Sequence, residues 1–215
     1  MFKNGLIIAG GFGSRMMPLT EYLPKPLVKF NGKELIDYGL ELFKKNNITN
    51  IVCTYGHKSD QLVSYLNGKV NVLLNTINQD NSYFIYNTIL KNIDEPFVLI
   101  PCDIITDIDF KLIHDEYLNF NSPPCLIIPN KVSNVDADFI ESDSKNRITS
   151  INRVNKSNLI ASGIQIINPY KINNVSNKHN NFYNVWSDLI SSNNLYVSNI
   201  YPNKWYCVDN LNQII

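Results

Sequence analysis

Apolar and polar positions alternate along this chain with two periods. In the first half, short continuous apolar runs are separated by stretches of helical periodicity. Gly5-Leu6-Ile7-Ile8-Ala9, Ile51-Val52-Cys53-Thr54, Val70-Asn71-Val72-Leu73-Leu74 and Phe97-Val98-Leu99-Ile100 each predict a buried strand. Between the first two, the stretch from Leu35 to Lys45 puts Leu35, Ile36, Leu40 and Phe43 on one helical face, and Asn46-Asn47 ends it. Gln61 to Leu66 predicts a short helix. Strand and helix alternating at this spacing predict an α/β fold, a parallel sheet with helices on both faces. Ligands of such sheets sit beyond the carboxyl ends of the strands. The loops after Ala9, Thr54 and Ile100 are therefore expected to face one site.

The second half is richer in β-pattern. Ala137-Asp138-Phe139-Ile140-Glu141 and Ile148-Thr149-Ser150-Ile151 flank the turn Asp143-Ser144-Lys145-Asn146 and predict a hairpin. Ala161 to Ile167 predicts a strand closed by Asn168-Pro169, Val185 to Ile190 a helix, and Tyr196 to Tyr201 a further strand. There is no internal repeat and no long linker, so one domain is expected over 1–215. Its second half should form a smaller β-rich layer on the substrate side of the same sheet.

Composition changes this picture only by exclusion. With 215 residues the chain can bury a substantial core. Its 19 basic and 19 acidic residues balance, which argues against a broad nucleic-acid or membrane surface but not against a local cationic pocket. Cys53, Cys102, Cys125 and Cys207 are scattered without a C-x-x-C pair, and His57, His114 and His179 are dispersed, so zinc is disfavoured. Three of the cysteines lie in apolar runs, where a reduced, buried thiol is expected. No basic segment leads into an apolar stretch and cleavage site, and no apolar run approaches the roughly 20 residues that span a bilayer. A cytoplasmic, soluble protein is the expectation.

The chemistry concentrates after the first strand. Gly10, Gly11 and Gly13 fall within four residues and are followed by Ser14-Arg15; Lys25 stands between Pro24 and Pro26. Glycines let backbone N–H groups approach a ligand, and successive free amides make a concave anion site. Arg15 and Lys25 would add full positive charge. Two phosphate-binding templates fail: Ser14-Arg15 stands where the P-loop needs Lys-Ser/Thr, and Met16 occupies the third glycine place of the dinucleotide fingerprint. The spacing Gly-Gly-x-Gly-Ser-Arg, followed by Pro18-Leu19-Thr20 and Pro24-Lys25-Pro26, resembles the signature of the sugar-phosphate nucleotidylyltransferases.

That resemblance, weaker over the rest of the chain, implies a Rossmann-like single domain with a mixed, mostly parallel sheet. Residues 1–130 would form the nucleotide-binding half and 131–215 the acceptor-binding half. Ala9, Gly10, Gly11, Gly13 and Ser14 would hold the nucleotide, Arg15 would neutralise its β,γ-phosphates, and Lys25 would bridge the α-phosphate and the incoming phosphate. Leu99-Ile100-Pro101-Cys102-Asp103 is similar to the family's strand ending in Gly-Asp, which assigns Asp103 to Mg²⁺, with Cys102 in place of glycine. Asp109, ahead of Phe110-Lys111-Leu112-Ile113, suits a helix N-cap better, and Asp107 reads as a turn residue. Ser162-Gly163-Ile164 resembles a sugar-contacting strand, which makes Gly163 either an acceptor-site residue or the mark of a bulge.

Two segments depart from the family. Cys207 stands where the tail's metal-binding acid is expected, and a thiol is a poor ligand for a hard cation. Asp209, two residues on, is the candidate replacement, with a precedent in phosphocholine-type members. From Asn78 to Thr88 the usual glycines under the nucleobase are missing, and Asn81-Ser82 is more similar to cytidylyltransferases acting on phosphocholine-like substrates. Gln79, Asn81 and Ser82 are the candidates there for nucleotide contact, set against the reading of Gln79 and Asn81 as plain polar loop residues. The implied reaction joins an NTP, with CTP or UTP favoured, to a sugar 1-phosphate for surface polysaccharide synthesis. A CTP-dependent transfer to phosphocholine or another phosphorylated alcohol or amino-acid derivative is the alternative, and nucleotide binding without turnover a third.

Overall fold

The computed structural model describes residues 1–131 and 137–214, so residues 132–136 of the expected acceptor half lie outside it. Four of the predicted apolar runs form adjacent parallel strands in the order Phe97–Pro101, Asn4–Ile8, Asn50–Tyr55, Val72–Asn75. Ile7 is in register with Cys53 on one side and Ile100 on the other. Successive side chains of these strands enter opposite cores. Ile7, Cys53, Val98 and Ile100 pack on one face with helix Leu35–Lys45, helix Ser59–Leu66 and helix Phe110–Asn119. Leu6, Val52 and Leu99 pack on the other with Phe84, Ile172 and Trp186 from helices Tyr83–Asn87, Pro169–Val175 and Phe182–Ser191. A run buried on both faces must be continuously apolar, which is why these strands show no alternation.

Helix Leu35–Lys45 has the expected bounds, but its buried face is Leu35, Ile36, Gly39, Leu42 and Phe43, with Leu40 only half-buried at the edge. Asp109 caps helix Phe110–Asn119, its carboxylate accepting from Lys111 N at 2.8 Å. Asp107 is not a turn residue: it ends the strand Ile104–Asp107 and pairs with Lys45 Nζ at 2.5 Å.

The second half extends the same sheet, and the whole is the mixed α/β architecture expected. Strand Ile160–Ile167 runs antiparallel to Phe97–Pro101 and to Cys125–Asn130; the hairpin Phe139–Ser142 and Ile148–Asn152 joins through it, and Leu195–Val197 lies parallel to Cys125–Asn130. The last of these is shorter than predicted. The chain leaves the ladder at Ser198, whose hydroxyl binds the Glu116 carboxylate. A separate two-stranded ribbon pairs Lys204–Cys207 with Ile104–Asp107, Cys207 opposite Ile104. Cys53, Cys102 and Cys125 are buried free thiols, as expected. Among the described residues no helix is long and apolar enough to cross a membrane.

Candidate functional site

Three parallel strands end together, and their loops interlock. Ala9 N donates to Thr54 Oγ1 at 2.9 Å, and Thr76 Oγ1 donates to the Tyr55 carbonyl at 2.9 Å. Gly10 and Gly56 cross here so closely that a Cβ on Gly56 would lie 2.2 Å from the Gly10 oxygen, and one on Gly10 would lie 2.4 Å from Thr76 Oγ1. Nothing lies within 4 Å of the place a Cβ would take on Gly11. Among the described residues the N–H groups of Gly11, Phe12 and Gly13 have no protein acceptor, the arrangement an anion needs. Gly13 turns the chain at φ +65°. Met16, fully buried against Val28, Leu35 and Val208, then anchors the short 3-10 turn and leaves Arg15 outside.

Lys25 is the centre of the charge arrangement. Its Nζ lies 2.5 Å from Asp103 Oδ2 and 2.9 Å from Asp209 Oδ1, with the lysine side chain only 11% exposed. Arg15, at 74% exposure, pairs with the other oxygen of Asp209. Burial pulls the Lys25 ammonium down, but the charge and hydrogen bond of Asp103, with the bond to Asp209, outweigh it and hold lysine above its ordinary value. Asp103 sits in the turn between strands Phe97–Pro101 and Ile104–Asp107. Asp209 arrives because the ribbon carries the tail back and Val208 N donates to the Asp103 carbonyl at 2.9 Å. Asp209 is thus beyond the strand that ends at Cys207, and its place is set by the turn in which Gln213 Oε1 accepts from the Asp209 and Asn210 amides.

Among the described residues no group of three or more His, Cys, Asp or Glu is disposed to hold a metal. A hard cation such as Mg²⁺ uses one or two carboxylates and completes its shell with phosphate oxygens and water. Asp103 and Asp209, meeting at one ammonium, fit that requirement. Cys207 does not: burial, then the charge of Asp103, pushes its thiol up to about 12, leaving it a protonated, soft group.

A cavity of about 770 Å³ opens beside the glycine loop. Gly10, Gly11 and Phe12 form one wall, His57 to Asp60 a second, and Thr76 to Asn81 with Asn181 a third. Gln79 and Asn81 therefore line it. Ser82 does not: it is fully buried, and its hydroxyl donates to the His179 carbonyl at 2.9 Å, tying two loops together. Ala9 is buried behind the loop and Ser14 lies exposed outside the lining. Gly163, at φ +86°, sits where strand Ile160–Ile167 breaks register between Ala161 and Gln165, and a Cβ there would come 3.1 Å from Pro101. This is the bulge, lying under the turn that carries Asp103. Sequence reasoning missed His57, Lys58, Asp80 and Asn181. The first two were accessible from the rule that the loop after Thr54 faces the site, whereas Asn181 reaches the cavity only through the tertiary fold.

The nucleotidyl transferase family profile matches residues 4–208. The CTP:phosphoglutamine cytidylyltransferase of Campylobacter jejuni subsp. jejuni is 45% identical over 64 residues, 30% of this chain and 25% of that protein. A mannose-1-phosphate guanyltransferase of Aspergillus oryzae is 29% identical over 187 residues, 80% of this chain and 51% of that one. This chain therefore spans about half the length of the guanyltransferase it matches. The inositol-1-phosphate CTP transferase from T. maritima shares the fold, with a TM-score of 0.78 over 100% of this chain and 92% of the other at 19% identity.

Proposed function

Because the chain belongs to the nucleotidyl transferase family, we propose that it joins a nucleoside triphosphate, CTP or UTP, to a sugar 1-phosphate. The products are a nucleoside diphosphate sugar, destined for surface polysaccharide, and pyrophosphate. The observation that carries this reading is Lys25, held between Asp103 and Asp209 beside a loop of unpaired backbone amides. An oxygen of the acceptor's phosphate attacks the α-phosphorus, the new P–O bond forms, and the bond to pyrophosphate breaks. The nucleophile is already an anion, so no general base is required, and catalysis reduces to positioning two polyanions and offsetting their charge.

Each residue then has one task. Gly10, Gly11 and Gly13 allow the backbone to approach the phosphates, and Arg15, the exposed cation, meets the leaving pyrophosphate. Lys25 bridges the α-phosphate and the acceptor phosphate. Asp103 and Asp209 would hold Mg²⁺, which when bound polarises phosphate oxygens. Without a ligand the two cations and two carboxylates neutralise one another. The test is pyrophosphate release across NTPs and phosphate monoesters with Mg²⁺, repeated with Arg15→Ala. Release with one pair, reduced at least about a hundredfold in the variant, supports the reading; binding of NTP without release from any acceptor refutes it. A second reading changes only the acceptor, to a phosphorylated alcohol or amino-acid derivative with CTP. The 45% identical stretch shared with the phosphoglutamine cytidylyltransferase favours it.

A further inference from the structure

One wall of the cavity is a turn, and its outer end is held from behind. The lining positions Asn78 to Asn81 belong neither to the strand that ends at Asn75 nor to the helix that starts at Tyr83. Three hydrogen bonds tie that end of the turn to the segment 179–182. Ser82 Oγ donates to the His179 carbonyl at 2.9 Å, Ser82 N to the Asn180 carbonyl at 3.4 Å, and Phe182 N to Asn81 Oδ1 at 3.1 Å. The segment 177–180 is itself irregular, and one carboxylate places it. Asp188, on helix Phe182–Ser191, accepts through Oδ2 from Asn177 N at 2.9 Å and from His179 Nε2 at 2.8 Å. Among the described residues every hydrogen bond of 177–180 runs to Asp188 or to Ser82. The His179 bond, with the Asn177 amide second, holds the Asp188 carboxyl below its ordinary value, so it is ionised and can only accept. His179 Nε2 therefore carries a proton. Neither His179 nor Asp188 lines the cavity.

We propose that Asp188 and His179 are positioning residues for the nucleotide: their bond holds the segment 177–180, which in turn holds the Asn78 to Asn81 wall in its binding shape. The inference rests on the nucleotidyltransferase reading and names residues outside the cavity that set its affinity for nucleotide. A turn keeps a single geometry only when its surroundings fix it, and hydrogen bonds one layer behind a site supply that support. If the wall holds its binding shape in only about one molecule in ten, the apparent dissociation constant rises about tenfold. Arg15, Lys25, Asp103 and Asp209 are paired with one another on other elements. The step at the α-phosphorus should therefore keep its rate once nucleotide is bound.

Calorimetric titration of the full chain with CTP and with UTP, in the presence of Mg²⁺, tests this, together with pyrophosphate release by the substrate pair the wild type uses. Asp188→Ala and His179→Ala should each weaken nucleotide binding at least about tenfold. The loss should appear in KM for the nucleotide, with kcat at saturation within about threefold of wild type. His179→Gln, whose side-chain amide donates from nearly the place of Nε2, should restore affinity to within about threefold of wild type. Combining Asp188→Ala with Ser82→Ala should cost less than the sum of the two losses, because both act through one chain of bonds. Urea unfolding checks that each variant is folded, and His179, partly exposed on a loop, is the substitution with least at stake for the core. Folded alanine variants that bind as tightly as wild type, a glutamine no better than alanine, additive losses, or a loss expressed in kcat overturns the inference and leaves the nucleotidyltransferase reading intact. A wild type that binds neither nucleotide overturns both.

Discussion

Replacing Lys25 by methionine keeps most of the side chain's length and removes its charge. The ammonium is the shared partner of Asp103 and Asp209, whose side chains are 19% and 21% exposed. Removing one member of a fully buried pair costs about 3–5 kcal/mol. Here both carboxylates keep access to water and Arg15 still holds Asp209, so about 2–3 kcal/mol is expected, below that range. The effect on turnover is separate. A lost contact to transition-state charge is worth about 2.7–4 kcal/mol, and two decades of rate correspond to about 2.7 kcal/mol. Lys25→Met should therefore unfold at lower urea than wild type yet remain folded, and release pyrophosphate at least about a hundredfold more slowly with the substrate pair the wild type uses. Because folding raises the Lys25 pKa, its contribution is complete below the ordinary lysine value of about 10.4 and is lost as pH rises through the higher folded value. The stability gap between wild type and variant should thus hold from neutral pH to about 10 and narrow above it. A folded Lys25→Met protein with turnover within tenfold of wild type, under saturating substrates, refutes the central role given to this residue.

Further expectations follow from the same geometry. Gly56→Ala should lower stability by about 1–3 kcal/mol, since its Cβ meets backbone rather than a side chain that can yield; Gly11→Ala should leave the melting temperature unchanged, and equal melting of the two variants would contradict the described crossing. Gln165 Oε1 accepts from Trp186 Nε1 at 3.1 Å in the core, so Gln165→Leu should cost about 1–3 kcal/mol in chemical denaturation by stranding the indole N–H. A native-like midpoint would mean the indole finds another partner. With its thiol pushed up to about 12 by burial, Cys207 is a thiolate in roughly one molecule in ten thousand at pH 8. Iodoacetamide should leave it unmodified in the native protein, and rapid labelling seen by mass spectrometry would show that the site opens.

The sequence by itself determined what local pattern can encode. The apolar runs became the parallel strands, the bounds of helix Leu35–Lys45 followed from its periodicity and Asn46, and Asp109 could be named as a cap because a cap acts two residues away. The glycine loop was legible for the same reason, since an anion site made of consecutive amides needs no distant partner. What only the tertiary structure decided spans long separations. Asp103 and Asp209 lie 78 and 184 residues from Lys25, and the ribbon that unites them pairs two short strands with no strong pattern of their own. The resemblance of Asn81-Ser82 to cytidylyltransferases groups Ser82 with the nucleotide contacts, and only the fold shows it buried with its hydroxyl on the His179 carbonyl. Asn81 looks like an ordinary loop asparagine, and only the fold brings its oxygen to accept from Phe182 N, 101 residues away. A hydrogen bond to a distant backbone group leaves no mark on the residues around it. The nature of the loop beside the first strand was therefore legible in the chain, whereas the groups that meet it depended on the fold.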